Sequence, residues 1–158
     1  MRPPRYALEP LADLRRSKAD EAATGLAAAV AGRDASERQR RAAEQRREGH
    51  DAQAAQAREA EHEALARGEL RAADLARGDA WEVRVATERA ALTGALDQAR
   101  ASEEQARTAE AAARSELANR EADARVIEKD RARWDEQQRK RAEAKEEEEA
   151  AEAYRPPR

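Results

Sequence analysis

The chain has 158 residues, 41% of them charged, with a net charge of only −3. Hydrophobic residues reach 40%, but alanine supplies most of them: there are ten Leu, four Val, one Ile and no Phe. That is too few large side chains for a globular core, which argues against an enzyme with an enclosed pocket, while the abundance of Ala, Glu, Arg, Gln and Lys predicts an all-α chain.

No proline occurs between Pro10 and Pro156, so nothing in that interval forbids long helices. Residues 1–9 read as a lead-in, and Pro10 suits the first helical turn, where its missing N–H is not needed. Leu8, Leu11, Ala19, Ala22, Leu26 and Val30 then recur in steps of three, four and eight, an apolar stripe on a first arm spanning about 10–76. From Ser36 to Ala60 the stripe thins to Ala43, Ala54 and Ala57 among Arg, Gln and Glu, and this stretch reads as mostly surface.

Two similar phrases mark the middle, Ala-Arg-Gly-Glu-Leu at Gly68 and Ala-Arg-Gly-Asp-Ala at Gly78. A turn is expected within residues 68–79. Gly78 is the better candidate, because it can take the left-handed conformation that ends a helix while Asp79 caps the next one with Glu82 three residues on. The alternative is two glycines tolerated inside one continuous helix.

The second arm, about 80–150, carries a clearer heptad. Leu92, Leu96, Ala99, Ala106, Ala113, Leu117, Ala124, Ile127 and Trp134 fit alternating steps, with Glu103, Glu110, Arg120 and Arg131 as polar interruptions. The fold expected is a long antiparallel two-helix coiled-coil hairpin with an alanine-lined middle and frayed termini at 1–9 and 151–158. A turn at Gly78 would set Ile127 and Trp134 near Leu26 and Val30, and one nearer residue 73 would set Trp134 near Leu11. Glu37 with Arg41, Glu103 with Arg107, Glu121 with Arg125 and Glu136 with Lys140 stand four apart in the order that supports a solvated helix. The termini mirror each other, Arg2-Pro-Pro-Arg5-Tyr6 and Tyr154-Arg-Pro-Pro-Arg158.

Cysteine is absent, which leaves no thiolate nucleophile or disulfide framework. No phosphate-binding glycine loop or nucleophile elbow appears. His50 and His62 stand apart and read as solvent-exposed, so neither metal nor cofactor is expected. The mixed charge gives no general pull toward nucleic acid. The longest apolar run, Leu26 to Ala31, is too short to cross a bilayer. No secretory h-region follows Met1-Arg-Pro-Pro-Arg, and a cytoplasmic location is expected. Trp134 reads as core, whereas Trp81, next to the expected turn, could staple the hairpin or meet a partner at its tip. In a hairpin Arg15, Arg16 and Lys18 would join Arg139, Lys140 and Arg141 in one basic zone, either a solvated face or a collar for an acidic partner.

Tyr6-Ala-Leu8-Glu9-Pro10-Leu11-Ala-Asp-Leu14-Arg15, followed by Lys18, Asp20-Glu21-Ala22 and Leu26-Ala-Ala-Ala, resembles the start of the FliJ-like stalk proteins of flagellar export and their YscO-like counterparts in injectisome type III secretion. The resemblance covers about 25 residues. It implies an antiparallel coiled coil similar to a rotary-ATPase shaft, located at the cytoplasmic face of a secretion apparatus. The implied partners are the hexameric export ATPase, the export gate protein and export chaperones. Leu8, Leu11, Leu14 and Arg15 match the motif and would sit at the ATPase end; gate and chaperone contacts are not assigned to residues. The other reading is a generic scaffold or adaptor, a parallel dimer of one unbroken helix.

Overall fold

A computed structural model describes residues 5–154. The chain is all-α: α1 spans Glu9–Ala66 and α2 spans Ala72–Ala153, and they pack antiparallel as a two-helix hairpin. The outer residues of the mirrored Arg-Pro-Pro-Arg segments, and of the termini expected to fray, lie outside the described residues. Contacts cluster into two units, one of Ala28–Ala111 around the turn, the other of the segments up to Ala27 and from Ala112 onward.

The turn lies at Gly68, not at the favoured Gly78. Gly68 has φ +71°, a conformation that other residues adopt only with strain. Around it the Glu69 N–H donates to the Ala64 carbonyl and the Gly68 N–H to the Leu65 carbonyl, both at 3.0 Å. This paired arrangement satisfies the carbonyls that a helix end leaves open. α2 starts at once: the Asp74 carboxylate accepts from the Arg71 N–H at 2.9 Å, the reciprocal half of a capping box. Asp74 therefore caps where Asp79 was expected to. The first arm ends ten residues before its expected limit at 76, and the second begins eight before 80.

This interruption at residues 67–71 removes the unbroken helix that the dimeric scaffold requires. It also changes what faces what. Trp134 meets Tyr6, with ring centroids 5.6 Å apart, rather than Leu11, Leu26 or Val30. The α2 heptad packs as its spacing predicts. Val85, Leu96 and Ile127 are buried, Leu96 to 1% exposure, and Leu92, Ala99, Ala106, Ala113, Leu117, Ala124 and Trp134 are half-buried. Burying a leucine fully contributes about 1.5–3 kcal/mol. On α1 the stripe keeps Leu11, Ala19, Ala22, Leu26 and Val30 half-buried, but Leu8 is exposed.

The stretch from Ser36 to Ala60 is mostly surface, as its composition predicts, yet a seam runs through it. Ser36, Arg40, Ala43, Arg47, His50 and Ala54 continue the seam in alternating steps, and Ala54 is buried. The polarity of that seam, not its exposure, broke the apolar pattern.

Replacing Gly68 with Ala should destabilise the hairpin by about 1–2 kcal/mol, the cost of a left-handed Cβ. Gly78→Ala should instead stabilise it by up to about 1 kcal/mol, since Gly78 lies inside α2 and its new Cβ would displace only the mobile end of the Glu61 side chain, 2.5 Å away. Paired thermal melts followed by helicity distinguish the two; equal losses at both positions would contradict the turn assignment.

Candidate functional site

In Ala28–Ala111, two carboxylates occupy the α2 seam where a coiled coil normally carries apolar side chains. Glu103 is 4% exposed and Glu110 is 7% exposed. Charges at that depth require partners, and α1 supplies them at the same seven-residue interval. Arg40 Nε donates to Glu103 Oε2 at 2.6 Å, and Arg33 Nε stands 3.0 Å from Glu110 Oε2. Each ion pair extends along its own helix: Arg40 also donates to Glu44 at 2.7 Å, and Arg107 donates to Glu103 at 2.6 Å. The hydrogen bond to Glu103 raises the Arg40 guanidinium above its ordinary value, against desolvation, so Arg40 keeps its charge.

One heptad beyond Arg40 stands Arg47, level with Leu96. Its nearest carboxylate is that of Asp51 at 3.9 Å, and its buried Nε has no hydrogen-bond partner. His50 is not the solvent-exposed histidine expected. Its side chain is 16% exposed, with Nε2 3.3 Å from Glu88 across the seam and Nδ1 3.8 Å from Asp51. Among the described residues no group of three or more His, Cys, Asp or Glu is arranged to hold a metal ion.

Trp81 lies within α2, well away from the tip, half-buried. The Arg58 guanidinium covers its ring at 5.8 Å and grips Glu82 with two hydrogen bonds of 2.6 and 2.8 Å. Those bonds hold the Glu82 carboxyl below the usual carboxylate range. Trp81 therefore works as a staple between the arms.

The unit made of head and tail segments has a different closure. Tyr6 is 8% exposed, packs on Trp134, and donates its hydroxyl to Asp130 Oδ2 at 2.5 Å. Glu9 accepts from Arg131 at 2.7 Å. These residues border a surface groove of about 630 Å³ that also takes in Arg5 and Pro10. The hydrogen bond to Asp130, then burial, push the Tyr6 phenol from 10.0 up to about 12.

The other motif residues divide into two sets. Leu8 and Leu14 are 41% and 52% exposed, while Leu11 is half-buried. Arg15 reaches across to the Asp123 carbonyl at 3.1 Å and its carboxylate at 3.4 Å, and Arg16 to Glu128 at 3.5 Å. Lys18 is exposed. Arg139, Lys140 and Arg141 do not join them in one basic zone. Arg15 stands opposite Asp123, so Arg139 lies sixteen residues, about 24 Å, further along α2. The three lie past the Tyr6–Trp134 contact, all exposed, with Lys140 bound to Glu136 at 2.9 Å.

Glu103 and Glu110 were visible in the sequence as interruptions, but their partners were not. The signal that identifies them is the shared interval: Arg33, Arg40 and Arg47 repeat every seven residues, as do the two glutamates.

No family model, curated protein or solved structure matches the chain.

Glu103→Leu should lower the melting temperature, because it leaves Arg40 facing an apolar seam. Arg40→Leu together with Glu103→Leu should recover or exceed the parent temperature while broadening the oligomer distribution, since an apolar seam accepts more partners. Melting and sedimentation velocity on the three proteins read both effects. Tyr6 makes a separate test. Its folded pKa lies above its unfolded one, so its contribution to stability is complete below pH 10 and is lost as pH rises toward 12. In a Tyr154→Phe background, absorbance titration should show the remaining tyrosine ionising near 12, and Asp130→Asn should lower that midpoint.

Proposed function

We propose that this chain is a non-enzymatic stalk of a type III export ATPase, flagellar or injectisome, which promotes ATPase assembly and couples it to the export gate. The observation that carries the reading is the antiparallel hairpin combined with the placement of the N-terminal motif. Leu8 and Leu14, which the resemblance assigns to the ATPase end, project at 41% and 52% exposure instead of entering the seam. Leucines left outside a seam this poor in large side chains suit contact with another protein. Arg15 and Arg16 in this reading hold the two arms together beside the contact, through Asp123 and Glu128. No described helix is long and apolar enough to cross a membrane, and the proposed place of action is the cytoplasmic face of the secretion apparatus. Export chaperones and the gate protein are the further partners this reading carries.

Mixing the chain with the export ATPase should increase hexamer formation and ATP hydrolysis. The Leu8→Ser, Leu14→Ser double variant should lose most of that stimulation with unchanged helicity, because both side chains are exposed. Absence of binding and stimulation by the parent chain would remove the reading.

A further inference from the structure

Beyond the Tyr6–Trp134 contact, α2 continues for nineteen residues, Asp135 to Ala153, about 28 Å at 1.5 Å per residue. Across them Gln138 is half-buried and every other residue is exposed. The heptad that sets Ile127, Arg131 and Trp134 in the seam runs on through Gln138, Arg141, Lys145, Glu148 and Glu152. Between Gln138, Arg141, Ala142 and Lys145 this face is concave, a groove of about 450 Å³.

Charge on the face is segregated. Arg141 and Lys145 stand four apart, as do Glu148 and Glu152, and like charges at that spacing destabilise a helix. By contrast, Glu103 with Arg107, Glu116 with Arg120 and Glu121 with Arg125 pair opposite charges at the same spacing elsewhere on α2. Two cations followed by two anions on one unpartnered helix face are self-complementary when the helix meets its own reverse.

We infer that residues 138–152 form a docking face on which a second copy of this chain seats the same segment, antiparallel, about a two-fold axis between Glu146 and Glu147. In that alignment Arg141 meets the second copy's Glu152 and Lys145 meets its Glu148, and the symmetry repeats both pairs. Four unlike pairs across the axis then offset the like-charged neighbours along each helix. Ala144 lies beside the second copy's Ala151, and both are small enough for the helices to close. A parallel alignment fails, because it sets Arg141 on Arg141 and Glu148 on Glu148. A partner of one sign, such as nucleic acid or an acidic peptide, would match only half of the face.

The pairing is isologous, so one surface serves both copies and assembly stops at two chains. It leaves the Tyr6–Trp134, Glu9–Arg131 and Glu136–Lys140 contacts in place. Exposed ion pairs make it weak and sensitive to salt. The inference does not rest on the export-stalk reading.

Sedimentation velocity on the full chain reads the association. The parent should self-associate at low ionic strength and dissociate in about 1 M salt, where the Debye length falls to about 3 Å. Arg141→Glu with Lys145→Glu makes the face wholly acidic, and Glu148→Lys with Glu152→Lys makes it wholly basic. All four positions are exposed, so helicity should not change. Each double variant alone should associate about tenfold or more weakly than the parent, whereas an equimolar mixture of the two should form a heterodimer at least as tight as the parent dimer. The quadruple variant keeps the net charge of −3 and should regain self-association. Direction is read by cross-linking, since the chain has no cysteine. Mixing Ala144→Cys with Ala151→Cys chains should give the mixed 144–151 disulfide faster than either like disulfide. A mixture of the double variants that stays monomeric at low salt overturns the inference and leaves the face to a different protein. A quadruple variant no better than the double variants, or a 144–144 disulfide forming as fast as the mixed one, would overturn it as well.

Discussion

Two buried carboxylates, Glu103 and Glu110, govern how the two arms meet. An ion taken out of water loses several kcal/mol of solvation, and only a well-placed counter-ion offsets the loss. Alanine, which lines much of the remaining seam, imposes no such demand: it packs against nearly any neighbour at little gain and little cost. An alanine seam alone would therefore leave register, direction and partner open. The glutamates restrict that freedom, because Arg33 and Arg40 cover them with the interval and polarity that an antiparallel partner must have. Much of the apolar contribution comes from a few points, Leu96, Val85, Ile127 and the Tyr6–Trp134 contact.

The turn and the closing contacts follow from the same economy of large side chains. With little apolar burial to hold a long loop in place, the chain reverses within residues 67–71 and satisfies its backbone through Gly68 and Asp74. Each device is local, and together they set the length of the first arm. Where the head and tail segments pair, one buried phenol, one indole and two polar links, Tyr6 to Asp130 and Glu9 to Arg131, do what a row of leucines does in an ordinary coiled coil. These contacts are directional, so they select one alignment more sharply than apolar side chains would.

A chain built in this way leaves its remaining leucines free for other work. Leu8 and Leu14 near the start of α1, and Leu65 and Leu75 flanking the turn, are 41–52% exposed. The proposed role as an export stalk draws on the first pair. The ion-paired middle fits the same role, since guanidinium and carboxylate groups on the flanks keep the arms hydrated and discourage apolar self-association.

Helical content and the packing face of α2 were legible in the residues themselves. Alanine, glutamate and arginine favour helix locally, and a three-four rhythm from Leu92 to Trp134 marks the buried stripe without reference to any partner. Even the polar steps at Glu103 and Glu110 were in plain view. The seam of α1 beyond Val30 was not, because apolar periodicity cannot detect a half-buried face made of Arg33, Arg40, Arg47 and His50. Nor could the choice between Gly68 and Gly78 be read locally, since both phrases carry adequate turn and capping residues. Tertiary structure decided these points. Whether an arginine is surface or seam depends on the carboxylate opposite it, and which glycine turns the chain goes with the alignment that covers Glu103 and Glu110. Those are relations between residues tens of positions apart, and they arise only when the two arms meet.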